Sequence, residues 1–467
     1  MFFPDATYAD IDQSLARASG YYDEFRTMPG SKRATFLNQI SSLLEKKGGK
    51  IVKLANEETS LGKPRLEMEL VRTVATLKIF AQLAENEKWQ NESMENPKED
   101  SAIGTTFSKI NLPIGIVVVI GACNFPLAIS VVGTDTASAL AVGCPVIVKS
   151  HPAHAATCQL LADLVCFAME TTGIAPGAFQ LLHGKNHEIT KKLVLHPKTS
   201  CVAFTGSFKG GRELAKIASR RQIPIPFHAE MGSLNPVILS PKKILQETEQ
   251  IAFDYVRAVN LYAGQMCTKP GILFFLSYLN FSSFIECVRR AVLQERILPM
   301  LNSEVHRSYE ESIRIMEKET SLLATNEQVH TEHHYPAFCR IFKLEAKQFL
   351  KKPELRVEAF GPTSMLVLCK NEHELLESIN SLEGSLTASL HCFSEEKNFR
   401  SKLIPILESK VGRLLWNGFP PGVISGPATH HGGPWPATTD SRYTSIGREA
   451  YKRFVRPLCK QGFPIHT

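Results

Sequence analysis

Short apolar runs alternate with amphipathic segments through the middle of the chain, and this alternation limits the possible folds more than any other feature. The runs "IGIVVVI" (114–120) and "CPVIVKS" (144–150) predict buried strands. The segments 126–143 and 152–173 predict helices, both of which end in Gly. Strands and helices that alternate in this way are typical of a parallel sheet covered by helices, which binds ligands at the carboxyl ends of its strands.

A second cycle of the same kind begins near residue 235 and includes the apolar strands "GILFFLS" (271–277) and "PTSMLVLC" (362–369). Ahead of both cycles, residues 8–93 predict helices, because apolar residues recur at spacings of three and four. Ser31 is the expected N-cap of the second of these helices. The predicted fold class is therefore α/β, with two parallel-sheet units.

Three segments lie outside these two cycles. Residues 96–115 are polar and then alternate in polarity, which predicts a strand or a hairpin. Residues 411–448 are rich in Gly, Pro and Thr and predict loops. The last stretch, "YKRFVRPLCKQGFP" (451–464), predicts a terminal strand.

Composition narrows the class of protein. The chain has 467 residues, 43% of them hydrophobic and 21% charged, which indicates a globular protein of two or more domains. Its net charge of +7 is spread along the chain, so no nucleic-acid-binding arm is expected. Pro and Gly interrupt the longest apolar run (113–133), so no membrane span is expected. The absence of a signal-peptide pattern and of any CxxC pair among eleven cysteines predicts a cytoplasmic protein with reduced thiols.

Three residues are candidates for the chemistry itself. Asn124 in "GACNFPLA" follows a strand, where its amide is placed either to stabilise an oxyanion or to cap a helix. Glu230 in "HAEMGSLNP" is a candidate general base or a solvated acid. Cys267 in "AGQMCTKPG" is a candidate nucleophile or an inert buried thiol. The histidine pairs 333–334 and 430–431 lack the spacing of metal ligands, and no metal site is expected.

Further candidates are suited to a cofactor. Lys149 ends a predicted strand and faces either the ligand crevice or solvent. The segment "FTGSFKGG" (204–211) joins a strand to a helix whose N-terminus can hold a phosphate, although an ordinary glycine-rich turn has the same pattern. In "EAFGPTS", Glu358 is placed to hold a ribose and Phe360 to flank a ring, or both belong to a turn.

Together, "GACNFPLA", "VIVKSHPAH", "FTGS", "EMGSLNP", "GQMCTKPG" and "EAFGP" resemble the aldehyde dehydrogenase superfamily, in the order in which that family has them. The resemblance runs from about residue 10 to the end of the chain. "KSHPAH", "MCTKPG" and the late "WNGFPPGV…HGGPWPATTDSRYTSIG" are similar to the branch that holds the NADP-linked 2,5-dioxopentanoate (α-ketoglutaric semialdehyde) dehydrogenases and some long-chain aldehyde dehydrogenases.

The resemblance implies a role for each catalytic candidate. Cys267 is implied to attack the aldehyde carbon and to form first a thiohemiacetal and then a thioester. The Asn124 amide and the Cys267 backbone N–H are implied to stabilise the oxyanion. Glu230 is implied to activate the water that hydrolyses the thioester.

The resemblance also implies a nicotinamide dinucleotide. Lys149 and Ser207 are implied to contact the adenosine ribose or the phosphates, and Glu358 and Phe360 the nicotinamide ribose and ring. The other residues assigned to this site are Ser150, His151, Gly206 and Gly211. NAD-preferring relatives often have an acid three residues after the lysine, whereas this chain has Pro152 there. Lys149 and His151 are then free to attract a 2′-phosphate, so NADP is expected as the cofactor, with NAD as the alternative.

Domain boundaries follow from the resemblance as well. We expect a dinucleotide-binding domain from residues 1–97 and 115–231 and a catalytic domain from 232–430. Residues 98–114 and 449–467 are expected to be oligomerisation elements of a homodimer or homotetramer. The leading strand segment usual in the family is expected to be absent or very short.

The expected reaction is the NADP-dependent oxidation of 2,5-dioxopentanoate to 2-oxoglutarate. A fatty or other aliphatic aldehyde is the alternative substrate, because no arginine can be assigned to a substrate carboxylate from the sequence. Relatives that transfer the acyl group to coenzyme A lack the base, so Glu230 argues against that activity. The simultaneous presence of Cys267, Asn124 and Glu230 argues against a catalytically silent protein.

Overall fold

The computed structural model describes residues 3–95, 105–277, 281–420 and 422–463. It begins with three helices, as predicted: α1 (Tyr8–Thr27), α2 (Gly30–Thr59) and α3 (Lys63–Glu85). The prediction that Ser31 caps α2 is wrong. The cap residue is Pro29, whose extended backbone (φ −52°, ψ 138°) directs the chain into the helix at Gly30, so that Ser31 already lies inside α2.

A five-stranded parallel sheet follows, in the order β5-β4-β3-β6-β7. Its strands are β3 (Val117–Ile120), β4 (Val146–Lys149), β5 (Phe179–Leu182), β6 (Cys201–Thr205) and β7 (Phe227–Glu230). The helices between them are α4 (Thr134–Ala141), α5 (Ala155–Thr172), α6 (His187–Leu195) and α7 (Phe208–Ser219). Because β3 pairs with both β4 and β6, the strand order reverses beside it and opens a crevice at the carboxyl ends of these strands.

The segment 126–143 departs from its prediction as one continuous helix, because α4 begins only at Thr134. Glu69 of α3 accepts hydrogen bonds from the backbone N–H groups of Leu127 and Ala128, at 2.8 and 2.9 Å. The chain then turns so tightly that a Cβ on Gly133 would lie 2.3 Å from the Ala128 carbonyl oxygen. A buried carboxylate from a distant helix has therefore replaced the first helical turns by a loop.

A seven-stranded sheet forms the second unit, in the order β11-β13-β14-β9-β8-β15-β16. Its strands are β8 (Pro236–Leu239), β9 (Ile272–Leu276), β11 (Ser321–Thr325), β13 (Arg340–Glu345), β14 (Thr363–Cys369), β15 (Ser385–His391) and β16 (Val411–Trp416). The helices are α8 (Pro241–Asn260), α9 (Phe281–Gln294), α10 (Ser303–Glu319), α11 (Ala346–Lys351), α12 (Glu372–Asn380) and α13 (Lys397–Glu408). All pairs are parallel except β11 with β13. The prediction of loops over 411–448 is therefore wrong for 411–416, where β16 pairs with β15.

Three smaller strands and a two-stranded pair complete the fold. β1 (Ser93–Glu95), β2 (Phe107–Pro113) and β17 (Val455–Gln461) form an antiparallel sheet in the order β1-β2-β17. The terminal strand is thus confirmed, while residues 98–104 of the predicted oligomerisation hairpin and residues 464–467 of the tail lie outside the described residues. β10 (Leu298–Pro299) pairs with β12 (Pro336–Ala337).

A buried ion pair connects the C-terminal part of the chain to the first unit. Asp135 of α4 and Arg453 form a buried ion pair at 2.6 Å, which attaches the segment just before β17 to the core.

The helical stretch Pro152–Thr172 is long and apolar enough to span a membrane by length and composition alone. Its buried residues, including Leu161 and Val165, pack in the core that also contains residues of α2 and the sheet. A core helix of a globular protein can have this length and apolar composition as well.

Candidate active site

The loop that carries Cys267 is held in an unusual backbone conformation. Tyr262, Ala263 and Gly264 all have left-handed φ values, 54°, 58° and 63°. A Cβ on Gly264 would lie 2.2 Å from the carbonyl carbon and oxygen of Gly361, so only glycine fits there. Consecutive left-handed residues are costly unless the surroundings enforce them, and they occur mostly where function requires an exact backbone position.

Asn235 fixes the other side of this loop. Its side-chain amide donates to the carbonyl oxygens of Cys267 and Lys269, at 2.8 and 2.9 Å. Its carbonyl oxygen accepts from the hydroxyls of Ser233 and Thr387, at 2.7 and 3.0 Å. Sequence reasoning missed Asn235, because "LNP" at the start of a strand gives no sign that the amide bridges two carbonyls more than thirty residues away.

The thiol of Cys267 lies beside a buried histidine and carboxylate. His431 Nε2 is 3.4 Å from Cys267 Sγ and 2.9 Å from Glu230 Oε1. The second Glu230 oxygen accepts a hydrogen bond from the Ser445 hydroxyl. Since an ionised carboxylate only accepts hydrogen bonds, Nε2 carries the hydrogen and cannot also accept the thiol proton. Glu230 is therefore the proton acceptor available to Cys267 in this cluster.

His431 and Ser445 were missed by sequence reasoning, which weighed the pair 430–431 only as metal ligands and set it aside. Both residues lie beyond β16, in the part of 411–448 that is loop, and His431 meets Glu230 across 201 residues of chain. The Ser445 N–H donates to the His431 carbonyl, at 2.8 Å, and the Met231 N–H donates to the Ala437 carbonyl, also at 2.8 Å. The first bond closes the late loop on itself, and the second attaches this loop to the end of β7.

Burial and charge set the protonation of the thiol and the carboxylate. Burial, followed by the negative charges of Glu230 and Glu358, raises the pKa of Cys267 well above that of a free thiol. Burial alone would raise the pKa of Glu230 too, but His431, Ser445 and Cys267 overcome it, so the pKa of Glu230 lies below its ordinary value. At neutral pH the resting pair is thus a thiol and a carboxylate, and the nucleophile forms by proton transfer between them.

Asn124 is brought to the same loop. Its side-chain nitrogen donates to the carbonyl oxygen of Gln265, two residues before Cys267, at 2.9 Å. An amide nitrogen has two hydrogens, so one remains to stabilise an oxyanion. The carbonyl of Asn124 accepts a hydrogen bond from Arg65 of α3, whose guanidinium lies between the rings of Phe125 and Tyr262, 4.8 and 4.9 Å from their centroids.

The predicted cofactor residues at the end of β4 fit an anionic dinucleotide. Lys149 is buried, which lowers its pKa, and it forms no ion pair with any described residue. The buried Ser150 hydroxyl has no hydrogen-bond partner among the described residues. His151 accepts a hydrogen bond from the Ala153 N–H, and burial, with the charges of His154 and Lys149, holds the pKa of His151 well below its usual range. His151 is therefore neutral, and Lys149 supplies the positive charge.

The turn after β6 gives a second contact surface. Ser207 caps α7, its hydroxyl accepting from the Gly210 N–H at 3.2 Å, so the first turn of α7 opens at the same sheet edge as Lys149. A Cβ on Gly206 would lie 2.7 Å from the Phe204 ring. The Gly211 N–H donates to Ser207 within the helix and is not available to a phosphate. Gly211 instead allows close packing, because a Cβ there would lie 2.6 Å from Met231 Sδ.

Glu358 and Phe360 lie on the turn that contacts the Cys267 loop through Gly361 and Gly264. Oxygen Oε1 of Glu358 is buried and has no hydrogen-bond partner among the described residues, as expected of a carboxylate that awaits a ribose hydroxyl. Burial raises the pKa of Glu358, while Lys269 opposes it. Lys149 and Glu358 therefore have polar groups without a partner among the described residues, which fits the binding of a nicotinamide dinucleotide.

Comparison with known proteins agrees with this geometry. The model of the "Aldehyde dehydrogenase family" matches residues 1–433. The chain belongs to the aldehyde dehydrogenase family. The resemblance found in the sequence is therefore confirmed, and this aldehyde dehydrogenase is an oxidoreductase that acts on aldehydes.

Two relatives align over almost the whole aldehyde dehydrogenase chain. "Alpha-ketoglutaric semialdehyde dehydrogenase 2" of Azospirillum brasilense is 37% identical over 465 residues, which cover 99% of this chain and 88% of that protein. "Alpha-ketoglutaric semialdehyde dehydrogenase" of Acinetobacter baylyi is 35% identical over 466 residues, which cover 98% and 88%.

Solved structures share the fold at low identity. A 1-pyrroline-5-carboxylate dehydrogenase superposes with a TM-score of 0.83 at 19% identity, over 98% of this chain and 86% of that one. The same enzyme from Thermus with bound NAD gives 0.82, also at 19% identity and with the same coverage. The α/β fold with parallel sheets is therefore that of aldehyde dehydrogenases.

The effect of Glu230 on the pKa of Cys267 can be tested, because its removal should raise the alkylation rate of the thiol and lower turnover. We expect Glu230→Gln to accelerate alkylation of Cys267 by iodoacetamide at pH 8, because loss of the negative charge lowers the thiol pKa and raises the thiolate fraction about tenfold for each pKa unit. The same variant loses turnover. The rate is measured by mass spectrometry of the peptide that contains Cys267.

The exposed Cys166 on α5 is the internal control, and its alkylation rate stays the same in both proteins. Slower alkylation of Cys267 in Glu230→Gln would contradict this account of the pKa. It would show that Glu230 promotes thiolate formation at rest more than its charge opposes it.

Proposed function

We propose that the protein oxidises 2,5-dioxopentanoate to 2-oxoglutarate with NADP as cofactor. The observation that carries the reaction type is the buried contact of Cys267 with His431 and Glu230, opposite an amide donor on Asn124. The names of the two relatives at 37% and 35% identity support the substrate.

In the proposed first step, the Cys267 thiol passes its proton to Glu230 and the sulfur attacks the aldehyde carbon. The oxyanion that forms is stabilised by the free amide hydrogen of Asn124 and by the Cys267 backbone N–H. Asn235 and Gly264 keep the Cys267 loop in position for this attack. A nicotinamide dinucleotide held by Lys149, Ser207 and Glu358 would supply the hydride acceptor, and loss of the hydride from the thiohemiacetal carbon would leave a thioester on Cys267.

Glu230 has to lose the proton it has received before it can act again, and we propose that it does so through a small cavity at its side. A cavity of about 20 Å³, large enough for one water, lies behind Glu230. His228, Asp440 and Tyr443 are among its lining residues, and Ser445, which bonds Glu230, borders it too. Once ionised again, Glu230 removes a proton from the water that attacks the thioester, and the carboxylate product leaves.

The cofactor preference follows from charges at the end of β4. In this proposal Lys149 binds the ribose 2′-phosphate, and Pro152 occupies the position where NAD-preferring relatives often have an acid. A carboxylate from the N-terminus, Asp5, also acts on Lys149, although its oxygens accept hydrogen bonds from the Lys185 and Asn186 N–H groups. The positive charge of Lys149 therefore favours binding of NADP, and the negative charge of Asp5 weakens this preference.

Opposite effects of these two residues test the preference. We expect Lys149→Met to lower kcat/KM for NADP at least about tenfold more than for NAD, the loss of one charged hydrogen bond to phosphate. Asp5→Asn removes the charge and keeps one of the two backbone hydrogen bonds, because its amide has a single acceptor oxygen, and it raises the ratio of NADP to NAD activity. Equal losses with both cofactors in Lys149→Met would show that this lysine contacts the ribose alone and would overturn the preference.

The substrate is tested by steady-state assays of the unmodified enzyme with 2,5-dioxopentanoate, succinic semialdehyde and decanal. The expected order of kcat/KM places 2,5-dioxopentanoate first. A wide margin in favour of decanal would overturn the proposed substrate and leave the aldehyde dehydrogenase reaction in place. In Cys267→Ala turnover is lost with every aldehyde, and residual turnover near the original rate would contradict the mechanism itself.

The assembly and location are proposals as well. β17 pairs with β2 on one side only among the described strands, so its other edge can add to a strand of a second copy. We propose a homodimer or homotetramer that forms through this small sheet, in the cytoplasm, as expected from the sequence.

A further inference from the structure

Arg72 of α3 reaches the active site without a protein partner. Its guanidinium lies 5.6 Å from the centroid of the Phe125 ring, next to Asn124. Nitrogen Nη2 is buried and has no hydrogen-bond partner among the described residues, and the side chain forms no ion pair with them. Burial lowers the pKa of Arg72, and the negative charges of Glu69, Cys267 and Glu230 oppose this shift. The guanidinium therefore interacts electrostatically with the reacting thiol.

Arg413 of β16 approaches the thiol from the second sheet. It pairs in register with Thr387, whose hydroxyl binds the Asn235 side chain that holds the Cys267 carbonyl. Both Nε and Nη2 of Arg413 are buried and lack hydrogen-bond partners within the described part of the chain. Burial lowers the pKa of Arg413, and the charge of Cys267 opposes this shift.

Other buried arginines near the site have partners. Arg65 lies on the same helical face as Arg72 and over the same Phe125 ring. Its Nη2 donates to the Asn124 backbone carbonyl and its Nη1 forms an ion pair with Glu69 at 3.4 Å, although Nε and Nη1 have no hydrogen-bond partner among the described residues. Arg453 pairs with Asp135 at 2.6 Å. A buried guanidinium without an acceptor is costly, so protein interiors normally supply one. The unpaired state of Arg72 and Arg413 therefore indicates that their acceptor comes with a ligand.

We propose that Arg72, assisted by Arg413, binds the carboxylate at the far end of the aldehyde substrate and so selects carboxylated aldehydes. This inference rests on the proposed function and adds the residues that make the substrate choice. A carboxylate is the group that a guanidinium binds best, through two parallel hydrogen bonds. With the aldehyde carbon at Cys267 and its oxygen at Asn124, a short chain extends along Phe125 toward Arg72.

The same arrangement disfavours an aliphatic aldehyde. A fatty chain beside Arg72 and Arg413 would bury two guanidinium groups without satisfying their hydrogen bonds, which costs free energy for each unpaired donor. A pocket that rejects an apolar chain in this way discriminates more strongly than one that only fits its shape.

A purely electrostatic role is the competing explanation for Arg72, because its positive charge also lowers the pKa of Cys267, against the raising effects of burial and of Glu230. The two explanations differ in their substrate dependence. Loss of a carboxylate contact raises KM for carboxylated aldehydes only. Loss of an influence on the thiol lowers kcat for every aldehyde and moves the pH profile to higher pH.

The experiment compares 2,5-dioxopentanoate with pentanal, which has the same number of carbons and no carboxylate, in the full-length enzyme with saturating NADP. We expect Arg72→Met to lower kcat/KM for 2,5-dioxopentanoate at least about 30-fold, mainly through KM, because a buried charge pair has lost one partner. The value for pentanal stays within about threefold. Arg413→Met has a smaller effect in the same direction, and Arg72→Lys lies between, because lysine keeps the charge and loses the planar fork.

Arg257→Met is the matched control. Arg257 is an exposed arginine on α8, paired with Asp254 at 3.5 Å, and its loss leaves kcat/KM unchanged for both aldehydes. Thermal midpoints and NADP binding by fluorescence show whether each variant is folded, and if Arg72→Met is not, Arg72→Lys and Arg413→Met decide. Equal losses with both aldehydes, or none with either, would overturn the role of Arg72. A preference of the unmodified enzyme for pentanal would instead overturn the proposed substrate.

Discussion

The hydrogen bond between His431 and Glu230 is the interaction on which the rest of the site depends. It joins the end of β7, in the five-stranded sheet, to the loop that follows β16, in the seven-stranded sheet. The two side chains are 1% and 3% exposed, so the bond exists only when both sheets are assembled. It keeps Glu230 ionised beside Cys267, and that charge in turn keeps the thiol protonated until substrate binds.

Charges of opposite sign divide the site. Glu230 and Glu358 surround the thiol and raise its pKa, which protects it from reaction at rest. The charges of Arg72 and Arg413 also act on this thiol, and both side chains have buried nitrogens without a hydrogen-bond partner among the described residues. In the proposed account, a carboxylated aldehyde supplies the missing negative charge. The enzyme therefore uses the charge of its substrate both to select it and to complete its own hydrogen bonds.

The sequence predicts the parts of this site that are local in the chain. Lys149 and Glu230 are the last residues of β4 and β7, where the pattern of apolar runs places them at the sheet edge, and Cys267 lies in the loop before β9. His431 and Asn235 give no such local signal, since their partners are distant and His431 lies in a loop. The helix predicted over 126–143 failed for the same reason, because Glu69 of another helix binds two of its N–H groups. Tertiary contacts, not local propensity, decided these positions.

The central claim is that Glu230 serves the hydrolysis of a thioester on Cys267, and capture of that thioester tests it most directly. Glu230→Gln is mixed with NADP and 2,5-dioxopentanoate, and the intact protein is analysed by mass spectrometry. Loss of the Glu230 charge lowers the pKa of Cys267, so the thiolate forms without this base and acylation still takes place. The account then predicts a burst of about one reduced cofactor per site, a steady rate at least about 100-fold below that of the unmodified enzyme, and an acyl group on Cys267. Turnover of Glu230→Gln at the original rate, with no acylated protein, would contradict it.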